Sequence, residues 1–388
     1  MKSKNLNKEK ILIFDTTLRD GEQAPGATMT LEQKTSIAIL LDKMKVDIIE
    51  AGFPISSENE FKAVDKISQK VKYSTVAGLA RANRNDIDAV IQSTQKAKRN
   101  RVHTFIATSP IHMKYKLEME PERVLEAIAD SVKYARNLCE DVEWSCEDGT
   151  RSDTEFLYKC FDTAIKAGAN TVNIADTVGY TMPFEFEDRI INIMNNVSNI
   201  DKAVFSVHCH NDLGFAVANA IASLSAGVRQ LECTINGLGE RAGNASLEEI
   251  VMALKTRPDL FPFETNIDPE YFTDISKAVS EASGFAVAPN KAIVGENAFS
   301  HESGIHQHGV LVNPNTYEII IPETVGAFGS KIVMGKHSGR HAFKYKLKEL
   351  GIKIGNNELE HAFIMFKKIA DKEKNVSDQE IINLIKLI

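Results

Sequence analysis

Short apolar runs rich in β-branched residues recur along the first two-thirds of the chain and predict β-strands. Amphipathic stretches with apolar residues at helical spacing separate them, among them LEQKTSIAILLDKM, PERVLEAIADSVKYARNL and TEFLYKCFDTAIKAG. This alternation predicts parallel β-α units, and about eight such units close a TIM barrel. The eight runs are ILIF (11–14), DIIEAG (47–52), STVAG (74–78), VHTFIA (102–107), VEWSC (142–146), TVNIAD (171–176), VFSVHCH (204–210) and QLECTI (230–235).

The alternation stops after a helix predicted around SLEEIVMALKTR, which ends by about residue 257. A Gly- and His-rich segment, NAFSHESGIHQHGVLVNPNTYEIIIPETVG, then leads to a charged helical tail. We therefore expect an α/β fold, a TIM (β/α)8 barrel with a C-terminal, mainly helical subdomain. The predicted boundaries are 1–284 for the catalytic barrel, 285–325 for a linker segment that reaches toward an active site, and 326–388 for the helical subdomain.

Composition narrows the function classes. The net charge of -7 argues against binding to nucleic acid or to an anionic membrane. The five cysteines form no C-x-x-C pair and leave an odd one, which favours a reduced, cytoplasmic protein. The N-terminus MKSKNLNKEK has no apolar core of a signal peptide, and no run approaches the roughly 18 apolar residues of a membrane span. A secreted or membrane-spanning protein is not expected.

The stretch FDTTLRDGEQAPG follows the first predicted strand directly. Its Asp-Gly and Pro-Gly steps indicate a loop, and loops fed by a rigid strand are where function concentrates. The charges of this loop therefore lie at the carboxyl end of a strand, where TIM barrels place their active sites. The polar residues are Asp15, Arg19, Asp20, Glu22 and Gln23.

The run SVHCH places two histidines on one face of a strand. Residues two apart on a strand point the same way, so His208 and His210 project together and Cys209 points away. Two imidazoles on one face suit a divalent metal, although hydrogen-bonded histidines inside a barrel are an alternative for this pair alone. Asp20, after the first strand, and Asn244, after the eighth, would join the pair at the mouth of the barrel.

The glycines of NGLGERAGN (236–244) could suggest a dinucleotide site. Their spacing is G-x-G-x-x-x-G, they follow the last strand, and no acidic ribose partner is evident, so a Rossmann motif is disfavoured. A tight loop that positions Asn244 over the mouth is the better interpretation, although late barrel loops often also bind phosphate.

Other polar residues are predicted on the same rim. His103 lies in the fourth strand, Ser145 and Glu147 end the fifth, and Thr177 follows the sixth. Each alone is more often structural, but their shared place at strand ends favours an active site. His306 and Tyr317 lie outside the barrel, where an ordinary structural role is an equal alternative.

Six motifs together resemble the 2-isopropylmalate synthases, members of a TIM-barrel superfamily of metal-dependent Claisen-condensing enzymes and lyases. The resemblance covers nearly the whole chain. The usual enzyme of that family continues into a C-terminal leucine-sensing domain, whereas this sequence stops at Ile388, so the domain is expected to be lacking and leucine is not expected to inhibit. The motifs are FDTTLRDGEQAPGATM, VHTFIATSPIHMKYKL, SVHCHNDLGFAVANA, NGLGERAGNASLEE, HESGIHQHGVL and MGKHSGRHAF.

The resemblance implies a divalent metal, with Mn²⁺ favoured and Mg²⁺ or Zn²⁺ possible. It also implies condensation of acetyl-CoA with a 2-oxo acid, 3-methyl-2-oxobutanoate, and hydrolysis to 2-isopropylmalate and CoA. In the same scheme Arg19 stabilises the developing oxyanion and Glu147 is the candidate base. The metal ligands carried over are Asp20, His208, His210 and Asn244.

The remaining roles follow from the same resemblance. His306 and Tyr317 are expected to reach the site from the other protomer, so a homodimer is expected. The residues expected to orient the oxo acid are Gln23, His103, Ser145 and Thr177.

The identity of the oxo acid leaves alternatives. Phe105 and Ile106, next to His103, are apolar as a branched-chain pocket requires. Arg151 could instead face a second carboxylate, as in homocitrate synthase, and citramalate synthase, which uses pyruvate, is another neighbour. A hydroxymethylglutaryl-CoA type lyase is less favoured, because such relatives usually lack the KHSGRHAF subdomain. A catalytically silent barrel that acts as a binding module predicts damage to the ligand set, and all four ligands are present.

Overall fold

The computed structural model describes residues 8–373 and 375–388, which divide into one unit that ends at Val287 and another that begins at Ala288. Eight parallel strands of the first unit close a barrel, in chain order, with the first strand paired to the last in the register Leu12↔Gln230. The predicted fold class is thereby confirmed. The strands are Leu12–Asp15, Ile48–Glu50, Thr75–Arg81, Asn100–Ala107, Val142–Glu147, Thr171–Asp176, Val204–Cys209 and Gln230–Cys233.

All eight predicted runs form strands, but several ends differ from the prediction. The run 204–210 leaves the regular strand after Cys209, because His210 pairs instead with Asn244 in an isolated antiparallel bridge. That bridge ties the end of the seventh strand to the loop that follows the eighth.

Helices follow the strands and complete the β-α units. Polar caps explain several of their starts: Thr30 accepts a hydrogen bond from the backbone of Gln33 in a capping box, and Asp153 caps the helix after the fifth strand. The principal helices of the first unit are Leu31–Lys43, Glu58–Lys70, Arg84–Thr94, Pro121–Leu138, Thr154–Ala167, Pro183–Asn196, Ala216–Ser225, Leu247–Thr256 and Phe272–Ser283. A short strand, Glu9–Lys10, pairs in parallel with Phe263–Glu264.

The two-residue period of the strands separates apolar from polar side chains. On the outer face, Trp144 packs edge-on against Phe161 of a helix at 5.6 Å between ring centroids, and Phe161 contacts Phe205 at 5.3 Å. Inside the barrel, Arg101 Nη1 donates to Glu143 Oε2 at 2.7 Å and to Gln230 Oε1 at 2.8 Å. The main apolar core therefore lies between strands and helices, and the barrel interior combines these polar groups with a small apolar cluster of Phe14, Ile48 and Ala77.

The second unit is mainly helical, with helices Gly304–Val312, Arg340–Glu349, Asn356–Ala370 and Asp378–Ile385. A parallel pair of short strands, Ser300–His301 and Lys331–Ile332, belongs to it. Its core centres on Phe343 and Phe366, whose rings stack at 4.9 Å. The predicted division at residues 284 and 325 remains a prediction. In the described part of the chain, no helix has the length and apolar character needed to cross a membrane.

The loop after the first strand is anchored by a buried lysine. Lys34 Nζ donates to Glu22 Oε2 at 2.6 Å and to Glu60 Oε1 at 2.7 Å, and its side chain is 1% exposed. Glu22 also accepts a hydrogen bond from the backbone N–H of Met29 at 2.9 Å. One ammonium therefore joins the loop to the first two helices.

We predict that Lys34→Met destabilises the protein because it leaves two carboxylates close together without their cation. Breaking a buried ion pair from one side costs about 3–5 kcal/mol, and the partial exposure of both carboxylates places the expected loss near the lower figure. Thermal and urea denaturation measure it. The matched control is Lys62→Met, which removes an exposed ion pair with Glu58 and is expected to leave stability nearly unchanged. Equal stability of the two variants would contradict the prediction.

Candidate active site

A cavity of about 300 Å³ opens at the carboxyl ends of the barrel strands. Polar residues from the first, fourth, fifth, sixth, seventh and eighth units line it together with apolar residues. The predicted site has ten residues in the barrel. Nine of them line the cavity, and the tenth, Asn244, contacts Asp20. The nine predicted residues that line the cavity are Arg19, Asp20, Gln23, His103, Ser145, Glu147, Thr177, His208 and His210.

Asp20, His208 and His210 form a tight buried cluster, with potential ligand atoms all within 4.8 Å of one another. The two Nε2 atoms lie 2.8 Å apart, and each lies 3.4 Å from Asp20 Oδ2. Burial raises the pKa of the Asp20 carboxyl, but the Arg19 guanidinium and hydrogen bonds with the two imidazoles outweigh burial and hold this pKa well below its usual range. The cluster therefore presents an anionic oxygen beside two ring nitrogens.

The Nδ1 atoms of the two histidines have partners of opposite charge. His208 Nδ1 donates to Glu232 Oε2 at 2.8 Å, whereas His210 Nδ1 accepts from Arg241 Nη2 at 2.7 Å. For His208, burial lowers the pKa, but hydrogen bonds with Asp20 and Glu232 raise it to about 9. For His210, burial and the positive charge of its neighbours lower the pKa. Carboxylate orientation of a histidine in this manner is typical of metal ligands.

The glycine-rich loop after the eighth strand holds Asn244 against Asp20. Asn244 Nδ2 donates to Asp20 Oδ2 at 2.5 Å, and its Oδ1 is buried without a hydrogen-bond partner among the described residues. A Cβ on Gly239 would lie 2.2 Å from Asn244 Nδ2, and Gly243 has a φ of +92°. The glycines thus permit a close approach of the loop to the mouth.

The donor chemistry of this cluster fits a divalent cation. It combines two imidazole nitrogens, a carboxylate that is charged at neutral pH, and a buried amide oxygen that lacks a partner. Mixed nitrogen and oxygen donors suit Mn²⁺, Mg²⁺ or Zn²⁺.

A buried carboxylate, Glu50, links the first loop to the fourth strand. Its Oε2 accepts from Arg19 Nε at 2.5 Å and its Oε1 accepts from His103 Nδ1 at 2.7 Å. Burial lowers the pKa of His103, but the charge of Glu50 outweighs burial and raises it. The other ring nitrogen of His103 lies 2.6 Å from Ser145 Oγ, which also accepts from Asn173 Nδ2 at 3.0 Å. Arg19, His103 and Ser145 are therefore held in fixed orientations.

Glu147 lies at the rim, where Lys116 Nζ donates to its Oε1 at 2.5 Å. The neighbouring Asp148 is fixed from the sixth unit, because its backbone N–H donates to Thr177 Oγ1 at 2.9 Å. The carbonyl of Thr177 accepts from Arg241 Nη2 at 2.7 Å. The ends of the fifth and sixth strands are thus joined beside the histidine cluster.

The apolar part of the cavity wall is formed by Phe53, Leu79, Phe105 and Ala175. Phe105 was predicted here and is present. Ile106 is buried but lies outside this wall, since its side chain points to the opposite face of the strand from His103. Arg151 is also outside the wall; its Nε donates to both carboxylate oxygens of Asp148, at 2.8 and 3.0 Å. It is thus engaged with a protein carboxylate.

His306 and Tyr317 lie together in the second unit. Their rings stack with centroids 4.1 Å apart. A Cβ on Gly309 would meet Tyr317 Cε2 at 2.6 Å, so this glycine allows the ring to approach the helix. The structure brings these two residues together, and their predicted catalytic role remains a proposal.

Several polar residues of the cavity were missed by sequence reasoning. Glu232 lies two residues after Gln230 and shares its inward face, a signal that the strand period could have supplied. Glu50 ends its strand in the same manner as Glu147. Asn173 lies on the sixth strand, and the other missed residues come from loops and a helical turn whose approach the sequence does not reveal. The missed lining residues are Lys116, Asn173, Glu232, Glu240 and Arg241.

Comparison with known proteins places these features in a family. Residues 10–279 match the HMGL-like family, and residues 293–374 match the family of homocitrate synthase post-HMGL domain-like segments. Among solved structures, hydroxymethylglutaryl-CoA lyase from Pseudomonas aeruginosa has a TM-score of 0.63 at 20% identity, covering 73% of this chain and 96% of that chain. An HMG-CoA lyase from Acinetobacter baumannii, solved with coenzyme A and 3-methylmalate, has a TM-score of 0.60 at 17% identity, covering 72% of this chain and 92% of that chain. These structures show the shared barrel fold.

Two curated relatives are much more similar in sequence. A 2-isopropylmalate synthase from Bradyrhizobium sp. (strain ORS 278) is 58% identical over 379 residues, covering 98% of this chain and 72% of that protein. A 2-isopropylmalate synthase from Caulobacter vibrioides (strain NA1000 / CB15N) is 57% identical over 378 residues, covering 97% of this chain and 72% of that protein. The chain therefore belongs to the 2-isopropylmalate synthase family.

Proposed function

We propose that the chain is an acyltransferase that condenses acetyl-CoA with 3-methyl-2-oxobutanoate and hydrolyses the thioester to 2-isopropylmalate and CoA, in leucine biosynthesis. The main support is one observation: the predicted polar residues of the barrel converge on one cavity that also has an apolar wall. The family membership supports the same reaction.

We propose that the residues that would hold a divalent ion are Asp20, His208, His210 and Asn244. Mn²⁺ is the proposed ion, a choice that rests on the family resemblance. A bound divalent ion would supply Lewis-acid polarisation of the substrate ketone. Because His208 Nδ1–H donates to Glu232, Nε2 is the ring nitrogen that would face the ion.

Arg19 has the position of an oxyanion partner. Its Nε is occupied by Glu50, and Nη1 lies 3.2 Å from Asp20 Oδ1, so the guanidinium is fixed at the cavity wall. A fixed cation in a partly dehydrated site stabilises negative charge as it develops on the ketone oxygen. The residues proposed to orient the oxo acid are Gln23, His103, Ser145 and Thr177.

Glu147 is the proposed base for the acetyl methyl group. Its carboxylate takes a proton from the methyl carbon, and the carbon nucleophile that results attacks the ketone carbon of the oxo acid. We propose that His306 and Tyr317 assist from the partner protomer of a homodimer. The contact between their rings supports a joint role. The same proposal includes a linker that carries both residues to a neighbouring site.

The apolar wall favours a branched aliphatic side chain over the alternatives. Phe53, Leu79 and Phe105 offer contact area to an isopropyl group that pyruvate does not have. A second carboxylate, as in a homocitrate synthase reaction, would need a cation, and Arg151 is already engaged by Asp148. A cytoplasmic location is also proposed, supported by five cysteines that are all free thiols.

The substrate assignment predicts the outcome of an oxo acid panel. With acetyl-CoA, release of free thiol is expected with the highest kcat/KM for 3-methyl-2-oxobutanoate and about 10- to 200-fold lower for pyruvate, because missing methyl groups forfeit apolar contact. A preference for 2-oxoglutarate would indicate homocitrate synthesis, and a preference for pyruvate would indicate citramalate synthesis. No thiol release with any oxo acid would favour a silent binding module.

The metal assignment predicts binding measured without turnover. Isothermal titration of Mn²⁺ into His208→Ala and Asp20→Asn proteins should show affinity reduced by more than about 100-fold, since even outer-shell partners of metal ligands contribute 10- to 100-fold. His361→Gln, an exposed histidine of the second unit, is the control and should bind as the unchanged protein does. Unchanged affinity in His208→Ala would refute the ligand assignment.

The dimer proposal predicts complementation between inactive variants. His306→Ala chains and Glu147→Ala chains are each expected to be inactive, and mixing them under conditions that exchange subunits should restore part of the activity. A mixed dimer would hold one site with both residues intact if they act from different protomers. Exchange is verified independently with differently tagged chains. No recovery despite exchange would mean that the two residues act within one chain or that His306 is structural.

A further inference from the structure

The segment between the fourth strand and its long helix places a histidine beside the proposed base. His112 lies at the end of the short helix Pro110–His112, which a π-helical turn, Met113–Leu117, continues. Such turns are frequent at functional sites. His112 Nε2 lies 4.0 Å from Glu147 Oε1.

A buried carboxylate fixes the imidazole of His112. Nδ1 lies 2.8 Å from Asp148 Oδ2 and 2.9 Å from Ser109 Oγ. Ser109 Oγ donates to the same Asp148 oxygen at 2.5 Å, so its lone pair is free to accept from the imidazole. Nδ1 therefore carries the proton of the neutral ring, and the unprotonated Nε2 is on the side of Glu147.

Burial and hydrogen bonds fix Asp148 in place. Its side chain is fully buried, and its backbone adopts a left-handed conformation with φ of 58°. Arg151 Nε donates to both of its oxygens, and Thr177 fixes its backbone N–H. A residue kept in such a sparsely populated conformation is over-determined by its surroundings, as is common at active sites.

We propose that His112 carries protons between Glu147 and solvent, a positioning and relay role that rests on the proposed function of Glu147. After condensation, the Oε–H bond of protonated Glu147 breaks and an Nε2–H bond forms on His112, with one water able to span the 4.0 Å gap. The products are a carboxylate and an imidazolium paired with Asp148. The partly exposed imidazolium then releases its proton to water or buffer, so protons and charge balance.

Lys116 does not compete for this role. It contacts the same oxygen of Glu147 at 2.5 Å, but an ammonium has no lone pair and cannot accept a proton. Its side chain is half exposed, so its charge screens Glu147 from the solvent side. His112 is the proton acceptor that the segment offers to Glu147.

The test combines two variants with an external base. His112→Gln keeps similar volume and an amide donor for Asp148 but cannot carry a proton, and His112→Ala leaves room for free imidazole. Both are expected to lower kcat by about 100-fold, the lower range of general acid–base contributions, with KM for 3-methyl-2-oxobutanoate within about twofold. Added imidazole should raise kcat of His112→Ala at least tenfold in a concentration-dependent manner. His361→Gln is the control and should lose nothing.

The possible results distinguish a failure of the relay from a failure of the proposed function. Turnover of His112→Gln within twofold of the unchanged protein would overturn the relay, even if His112→Ala failed to fold. Loss in His112→Ala without imidazole rescue, together with a lower melting temperature, would show a structural role instead. If Glu147→Gln retains full turnover, the base assignment fails and the relay fails with it. If the unchanged protein releases no thiol with any oxo acid, the proposed function itself fails.

Discussion

The network of polar side chains inside the closed barrel is the constraint on which the rest of the structure depends. Strand alternation sends one half of each strand inward, and here that half carries Arg101, Glu143 and Gln230 beside a small apolar cluster around Phe14. Burying a charge without a partner costs several kcal/mol, so every inward charge must meet its partner across strands distant in sequence. The strand register that closes the barrel is therefore also the register that satisfies these charges.

The residues of the site lie beyond this polar network, toward the carboxyl ends of the strands. Inward positions further along the strands hold His103, Ser145 and His208. Glu50 anchors His103 and Glu232 anchors His208, whereas Ser145 is held by His103. Loops then add Asp20 and Asn244, whose mutual hydrogen bond joins the two ends of the barrel sequence. Because rigid strands carry the histidines and anchored loops carry the oxygens, the donor set is organised before any ligand binds.

Residue periodicity explains what could be predicted from the sequence. The eight runs, the shared face of His208 and His210, and the rim position of Glu147 all follow from local pattern and from the known polarity of such barrels. The position of Glu50 at a strand end follows from the same pattern, but its contact with His103, 53 residues away, depends on register. Arg241 could not be predicted in this way, because its partner His210 lies 31 residues away and the contact depends on a loop path. Ile106 does not reach the pocket although it is next to Phe105 in sequence, because adjacent residues of a strand point to opposite faces.

In the proposed function, the pair of Asp148 and Arg151 bears on both substrate specificity and proton movement. Asp148 binds Arg151, which is therefore not free to face a second substrate carboxylate in the proposed reaction. By accepting from His112, the same carboxylate directs a basic nitrogen toward Glu147. A substitution at Asp148 would therefore disturb the choice of oxo acid and the departure of the proton together, whereas a substitution at His112 would disturb the proton alone.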